Sequence, residues 1–170
     1  EPVALAIDPA GDSLYVAAAN SNAITVFDRN AATGALTFLE TLVDGVGSVD
    51  GLAGASSVAV SFDGEWVYAT GENDDAVVIF DRDPGTGALS FAQGKVDGVG
   101  GVDGLAVPRS VVVSPDDRNV YVAGSGDSAI AVFTRDLPAG TLTFRQVVRD
   151  GVGGVDGLAG VSALALSDDS

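Results

Sequence analysis

The sequence repeats at a fixed interval of 53 residues, without insertion or deletion. Tyr15, Tyr68 and Tyr121 keep this interval, as do the glycine-rich stretches "DGVGSVDGLAG", "DGVGGVDGLAV" and "DGVGGVDGLAG". Residues 160–170 align with residues 1–11, so the chain holds three full copies and the opening of a fourth. A tandem unit of this size is one supersecondary element, and it buries its apolar faces against its neighbours.

Each copy contains four short runs with alternating apolar residues, which in the first copy are "VALAI", "SLYVAA", "AITVFDR" and "ALTFLETL". Runs of this length that are rich in Val, Ile, Phe, Tyr and Thr indicate β-strands. The gaps between them, such as "DPAGD" and "NAATG", contain the Asp and Gly that hairpin turns use. An excess of 20 Asp over 4 Glu, with 23 Gly, also favours turns over helices. The sequence therefore predicts a four-stranded antiparallel meander in each copy.

Sheets with apolar residues on both faces need cover on both faces, and tandem sheets stacked around an axis provide it. The predicted fold is an all-β β-propeller with three four-stranded antiparallel meanders of 53 residues and one extra inner strand. It is a single partial propeller over residues 1–170, with blades at 1–53, 54–106 and 107–159 and the start of a fourth blade at 160–170. A β-sandwich does not account for an identical repeated unit, and a β-solenoid usually has a shorter coil.

The stretch "SFDGEWVYATGENDDAVVIFDRDPGTGALSF" resembles the repeat unit of the lactonase-type propellers, which include 6-phosphogluconolactonase and the YVTN-repeat surface proteins. That unit runs Ser-Pro-Asp-Gly, then a Tyr-Val strand, a Val-x-Val-Phe strand and Thr-Gly-x-Leu. The resemblance covers about 40 of every 53 residues in all copies. It implies a propeller, typically of seven blades, with an acidic and basic cluster on the loop-bearing face. No catalytic residue of the family can be carried over onto a matching position of this sequence.

Three blades do not close a ring, because closed propellers usually have roughly four to eight blades. The two end faces would be apolar and exposed on a monomer. Three arrangements cover them: two chains in a six-bladed ring, further blades of a longer chain, or an open filament. The absence of an initiating Met and the ending within a repeat favour a segment of a longer propeller or a self-associating chain. The expected partners are therefore a second copy or further blades.

The glycine-rich insert connects the outer strand of one blade to the inner strand of the next. In an up-and-down meander it shares a rim with the second connection of each copy, and propellers of this kind commonly bind ligands and metals on that rim. The aspartates that this placement brings to one rim are Asp44, Asp50, Asp74, Asp75, Asp97, Asp103, Asp127, Asp150 and Asp156.

Two interpretations of the insert stay open. In the first, the insert is a spacer whose aspartates accept backbone N–H bonds, while Val46, Val49 and Leu52 pack onto the blade tops. In the second, it binds Ca²⁺, which takes roughly 6–8 oxygen ligands from carboxylates and carbonyls. The calcium candidates are Asp44, Asp50, Asp97, Asp103, Asp150 and Asp156.

Several other side chains recur with the repeat. The arginines that end the third strand, Arg29, Arg82 and Arg135, are expected to pair with turn aspartates, including across blades. The expected partners are Asp28, Asp81, Asp83 and Asp136. The three repeated tyrosines lie within apolar runs and are expected in the core. Trp66, which begins its strand, is expected to be partly exposed.

A formal net charge of −16, with eight basic residues spread singly, argues against nucleic acid and anionic membranes as partners. No run approaches the ~20 apolar residues needed to span a bilayer. Without His or Cys, the sequence has no imidazole base, no Ser-His or Cys-His machinery and no usual zinc ligands. The sequence favours a non-catalytic repeat module of a secreted or surface protein, acting in assembly, adhesion or ligand binding. The alternative, implied by the resemblance, is a lactonase-like hydrolase of sugar lactones or related compounds within a complete propeller.

Overall fold

The computed structural model describes residues 1–167 and contains three four-stranded antiparallel sheets, each with its strands in chain order. Blade 1 consists of β1 (Pro2–Ile7), β2 (Ser13–Ala18), β3 (Ala23–Arg29) and β4 (Leu36–Val43). Blade 2 consists of β5 (Ala55–Val60), β6 (Trp66–Gly71), β7 (Ala76–Arg82) and β8 (Leu89–Val96). Blade 3 consists of β9 (Pro108–Val113), β10 (Asn119–Gly124), β11 (Ala129–Arg135) and β12 (Leu142–Arg149). One 3₁₀ turn, Ala19–Ser21, follows β2. The predicted all-β propeller blades are confirmed.

The predicted extra inner strand does not form, because residues 161–167 carry no strand ladder. They run beside β9, where the Leu164 N–H donates to Ser110 Oγ at 3.1 Å. The same contact joins β9 to β5, where the Val111 N–H donates to Ser57 Oγ at 3.2 Å. A strand requires a hydrogen-bonded neighbour, and the described chain offers this segment no second strand. Residues 168–170 of the predicted fourth blade lie outside the described residues.

The apolar core lies between the blades. We call the side of a blade that packs on the next blade its forward face, and the opposite side its back face. Tyr15 and Ile24 on the forward face of blade 1 pack with Val58 and Phe80 on the back face of blade 2. A second core joins the forward face of blade 2 to the back face of blade 3 in the same way. Stacking therefore buries both faces of blade 2.

The repeated tyrosines join neighbouring blades. Tyr15 and Tyr68 are fully buried, which confirms the prediction that they belong to the core. Their hydroxyls donate across the interface, to the Gly87 carbonyl at 2.9 Å and to the Gly140 carbonyl at 3.0 Å. Burial raises the pKa of both phenols. Tyr121, on the forward face of blade 3, is only half-buried.

Two of the repeated arginines also bind the preceding blade. Buried Arg82 donates to Asp8 Oδ2 at 3.0 Å, and buried Arg135 donates to Asp63 Oδ2 at 2.5 Å. The predicted pairing across blades is therefore present, but the predicted aspartate partners are wrong. Successive strand residues point to opposite faces, so the aspartate preceding each arginine in blades 1 and 2 cannot share its interface. All four aspartates named as partners are exposed: Asp28, Asp81, Asp83 and Asp136.

Trp66 is buried, not partly exposed as predicted from its place at the start of a strand. The hairpin between β11 and β12 covers its indole, and Gly140 in that hairpin leaves no room for a side chain above the ring. The sequence of one blade does not reveal this contact, because the covering residues belong to the next copy.

Gly140→Ala is expected to destabilise the fold much more than Gly34→Ala. Both glycines hold the same hairpin position with positive φ, but a Cβ on Gly140 would overlap Trp66, whereas one on Gly34 meets nothing within 4 Å. The extra loss in the free energy of unfolding should be about 1–3 kcal/mol, the usual cost of overpacking. Urea unfolding of both variants measures it, and equal losses would contradict the close stacking of blade 3 on blade 2.

Asp63→Asn is expected to destabilise the chain at neutral pH and much less in acid. Burial acts to raise the pKa of Asp63, but hydrogen bonds from Ser61 and Arg135 outweigh it and lower the pKa. The carboxylate therefore stabilises the fold above the unfolded pKa of about 3.9, and this contribution is lost as the pH falls through the folded pKa. We expect a loss of about 1–3 kcal/mol at neutral pH.

The measurement is urea unfolding of the wild type and of Asp63→Asn at neutral pH and well below the folded pKa. Asp81→Asn is the matched control, because Asp81 is exposed. An equal loss at both pH values would show that the charge of Asp63 is not what stabilises the interface.

Candidate functional site

The glycine-rich insert forms a compact loop held by its own first aspartate. Asp44 Oδ1 accepts the N–H groups of Gly51 and Leu52, at 3.0 and 2.9 Å. The corresponding bonds in the other two inserts are Leu105 N–H to Asp97 at 2.9 Å and Leu158 N–H to Asp150 at 2.7 Å. Three of the six calcium candidates therefore act as backbone acceptors, as the spacer interpretation expects.

The apolar residues of the insert divide between the core and the solvent. Val49 and Leu52 are buried in the core between blades 1 and 2. Val46 is 62% exposed, so the prediction that it packs onto the blade is wrong. It lies in the loop where the Val46 and Val49 N–H groups close two successive turns, by donating to the Val43 and Val46 carbonyls at 3.2 and 3.3 Å.

The insert is also bonded to the second connection of the meander. The Ala53 N–H donates to Asp74 Oδ2 at 2.8 Å, and the Gly54 N–H donates to Asn22 Oδ1 at 2.9 Å. The Val107 N–H makes the matching bond to Asp75 Oδ1 at 2.8 Å in the next copy. These contacts place both connections on one rim, as the meander topology predicts.

Three carboxylates converge beside the second insert. Oxygen atoms of Asp97, Asp103 and Asp127 lie within 4.8 Å of one another, and no other such group of three occurs among residues 1–167. Arg149 donates to both oxygens of Asp103, at 2.7 and 2.5 Å, and its NH2 group lies 3.5 Å from Asp127 Oδ1. These hydrogen bonds lower the pKa of Asp103. A guanidinium thus supplies positive charge at this cluster.

The other calcium candidates are not drawn together in this way. Asp50 and Asp156 are exposed. Arg149 ends β12 beside the second insert, and the same repeat position beside the first insert is Val96, which ends β8. No arginine therefore stands at that position to pair with Asp50. The structure therefore brings Asp97 and Asp103 together with Asp127, and it leaves the remaining candidates apart. Calcium binding stays a prediction.

A second polar cluster lies on the same rim, at the inner edge of the blades. A depression of about 370 Å³ opens where the inner strands begin. Its lining residues are Glu1, Val3, Ala19, Asn20, Ser56, Glu72, Arg109 and Ser162. Val3, Ser56, Arg109 and Ser162 occupy one repeat position, so the depression follows the start of successive inner strands. We call it the channel mouth.

Glu72 and Arg109 form the charged part of the channel mouth. Glu72 Oε2 lies 3.5 Å from Arg109 NH2, and the side chains remain 30% and 48% exposed, respectively. The pair is therefore open to a ligand that enters the mouth. A carboxylate of this kind can accept a proton or a hydroxyl hydrogen bond, and a guanidinium can bind an anionic or polarised oxygen.

Glu72 and Arg109 were not predicted from the sequence, because the predictions followed what the copies share. Glu72 stands where the other copies have Ala19 and Ser125, and Arg109 stands where they have Val3 and Ser56. Charged residues that break the repeat on the loop-bearing rim are the signal that would have found this pair.

The lactonase family model, described as a seven-bladed β-propeller, matches residues 1–50 and 45–153. The chain belongs to this lactonase family. The periplasmic gluconolactonase PpgL of Pseudomonas aeruginosa is 28% identical, with a TM-score of 0.75. The alignment covers 88% of this chain and 40% of that one.

Two more distant relatives also align with most of this chain and with less than half of their own length. A candidate 6-phosphogluconolactonase of Bacteroides fragilis is 23% identical, with a TM-score of 0.74, over 87% of this chain and 39% of that one. An uncharacterised protein of Lactococcus lactis subsp. cremoris is 24% identical over 143 residues, which is 84% of this chain and 40% of that protein. The chain thus spans about 40% of the length of these three relatives. In residues 1–167 there is no helix with the length and apolar character needed to cross a membrane.

The calcium hypothesis predicts that a chelator lowers the melting temperature by several degrees and that added Ca²⁺ restores it. Asp103→Asn should abolish the response if the cluster of Asp97, Asp103 and Asp127 holds the ion, whereas Asp50→Asn, in an exposed loop, should not. Differential scanning calorimetry with and without chelator measures the shift. An unchanged wild-type melting temperature would leave Arg149 as the only cation of the cluster.

Proposed function

We propose that this chain contributes Glu72 and Arg109 to a lactone-hydrolysing site at the channel mouth of a lactonase-family propeller. The observation that carries the proposal is the accessible pair of Glu72 and Arg109, whose facing oxygen and nitrogen atoms are 3.5 Å apart. Membership of the lactonase family and the similarity to a periplasmic gluconolactonase support a sugar lactone as the substrate class.

The chemistry assigns one role to each charged side chain. Glu72 accepts a proton from a water molecule as its oxygen attacks the lactone carbonyl carbon. Arg109 stabilises the negative charge that develops on the carbonyl oxygen. The ring C–O bond then breaks, the ring oxygen takes the proton that Glu72 received from water, and the resulting hydroxy acid releases its carboxyl proton to the solvent. A carboxylate is the base that this chain offers, since the sequence contains no His.

A second candidate is a ligand-binding module that uses the same mouth without turnover. It is favoured by the resting ion pair itself, because the Arg109 guanidinium already lies beside the carboxylate oxygen that a water molecule would have to reach. The surrounding Asn20, Ser56 and Ser162 supply neutral hydrogen-bonding groups for a polyhydroxylated ligand. Secretion or surface display, predicted from the acidic composition, stays a prediction for either candidate.

Glu72→Gln is expected to lower the rate of glucono-δ-lactone hydrolysis by about 10²-fold or more, the usual contribution of a general base. The wild-type rate, corrected for the spontaneous reaction in buffer, is followed by proton release at constant pH. Glu65→Gln is the matched control, because Glu65 is exposed in a turn on the opposite rim and should leave the rate unchanged.

Calorimetric titration with gluconate separates the two candidates. Arg109→Gln should weaken gluconate binding in both, because the carboxylate of gluconate takes the place of Glu72 beside the guanidinium. Binding that depends on Arg109, with no hydrolysis above the buffer rate, would support the ligand-binding module over the hydrolase. A hydrolysis rate that Glu72→Gln leaves unchanged would contradict the catalytic role of Glu72.

A further inference from the structure

Val107, at the end of the second insert, holds a backbone conformation that its side chain disfavours. Its φ is 50°, in the left-handed region, where the Cβ of an L-residue comes too close to the backbone. Among residues 1–167 it is the one residue that combines a branched Cβ with a positive φ. Pro108 follows it, and a residue before proline is biased still further towards extended backbone. Val107 therefore carries backbone strain.

The same position holds glycine at the ends of the other two inserts. Gly54 and Gly160 align with Val107, and their φ values are 66° and 64°. Each insert therefore ends in this conformation, and glycine adopts it without strain. The strain at residue 107 comes only from having valine there. Strained residues of this kind cluster at binding and catalytic sites, where surrounding contacts hold them in place.

A change on the facing connection makes room for the valine side chain. Gly126 faces Val107, and a Cβ on Gly126 would lie 3.1 Å from Val107 Cγ2. In the preceding copy the arrangement is reversed: Gly54 faces Asn73, whose Nδ2 would lie 2.6 Å from a Cβ on Gly54. The side chain stands on the second connection in one copy and on the insert in the next. Val107 and Gly126 are therefore a paired departure from the repeat.

Hydrogen bonds hold the backbone of Val107 and Pro108. The Val107 N–H donates to Asp75 Oδ1 at 2.8 Å, and the Val107 carbonyl accepts the Ser125 N–H at 3.1 Å. The buried Pro108 has a fixed φ, and its carbonyl accepts a hydrogen bond from Ser56 Oγ at 2.6 Å. Ser56 also lines the channel mouth. Every backbone polar group of these two residues is therefore bonded.

We propose that Val107 is a positioning residue for Arg109, the guanidinium of the channel mouth. Arg109 follows two residues later, at the start of β9. Glycine at position 107 would give the backbone many alternative conformations, whereas valine followed by proline leaves few. The stiff segment fixes the Cα of Arg109 and keeps its guanidinium near Glu72, at 3.5 Å. A group that is held in place before the ligand arrives loses less entropy on binding.

NMR relaxation tests this role without any ligand. The importance of Arg109 rests on the proposed function, but its mobility does not. The backbone N–H and the Nε–H of Arg109 should have lower order parameters in Val107→Gly than in the wild type, whose backbone value should be about 0.85. Val107→Thr keeps the branched Cβ and should keep the wild-type values. Val99→Gly is the matched control, because Val99 is 63% exposed in the same insert and should leave Arg109 unchanged.

Calorimetric titration with gluconate measures what the positioning contributes to binding. Val107→Gly should weaken gluconate binding by about 2- to 10-fold, within the coupling that neighbouring residues show. It should have no further effect in the Arg109→Gln background, because Val107 acts through Arg109. The urea midpoint of Val107→Gly should not fall, since relief of the strain offsets the packing lost beside Gly126.

A double variant keeps the test sharp if Val107→Gly alone is destabilised. Val107→Gly with Gly126→Asn restores the arrangement that the chain uses at Gly54 and Asn73, and it should show the same loss of order at Arg109. Unchanged order parameters in both variants would overturn the proposal, as would a loss of order in Val107→Thr or a loss of binding that persists in the Arg109→Gln background. A wild-type chain that does not bind gluconate, but whose Arg109 loses order in Val107→Gly, would contradict the proposed function and support the positioning role.

Discussion

Every blade of this chain is a sheet with apolar side chains on both faces, and each face needs another sheet to cover it. Blade 2 meets this requirement fully, since its back face packs on blade 1 and its forward face packs on blade 3. Polar groups are paired across these interfaces, as Arg82 is with Asp8 and Tyr68 is with the Gly140 carbonyl. Among residues 1–167, Trp66 Nε1 and Arg135 Nε are buried without a hydrogen-bond partner. Exposing apolar side chains or leaving a charge unpaired at one interface would lower the free energy of unfolding by several times the net contribution of a surface contact.

The interface also explains the shape of the connections. The insert must carry the chain from the outer edge of one blade to the inner edge of the next, and it does so with Leu52 in the core and Asp44 capping the loop. The rim is therefore built by the same stacking that builds the core. The two charged residues of the proposed site, Glu72 and Arg109, are single departures from the repeat at the channel mouth.

Repetition made the blade predictable, and it also hid what is particular to one copy. Period-two patterns within one unit predict the strands, the burial of Tyr15 and Tyr68, and the rim that the insert shares with the second connection. These patterns do not predict the partners of Arg82 and Arg135, because those partners belong to a neighbouring blade whose placement only the packed structure reveals. The prediction that Val46 packs onto the blade was wrong, because apolar character alone does not distinguish the tip of a loop from its base. The Glu72 and Arg109 pair was missed because averaging over copies removes residues that occur once.

The central claim is that contacts between neighbouring blades hold this fold together, and hydrogen exchange at Leu89 tests it most directly. The Leu89 N–H donates across the interface of blades 1 and 2 to Glu40 Oε1 at 2.7 Å. The account predicts that the Leu89 N–H exchanges slowly in the wild-type chain and that Glu40→Ala speeds its exchange. A Leu89 exchange rate that Glu40→Ala leaves unchanged would contradict the account.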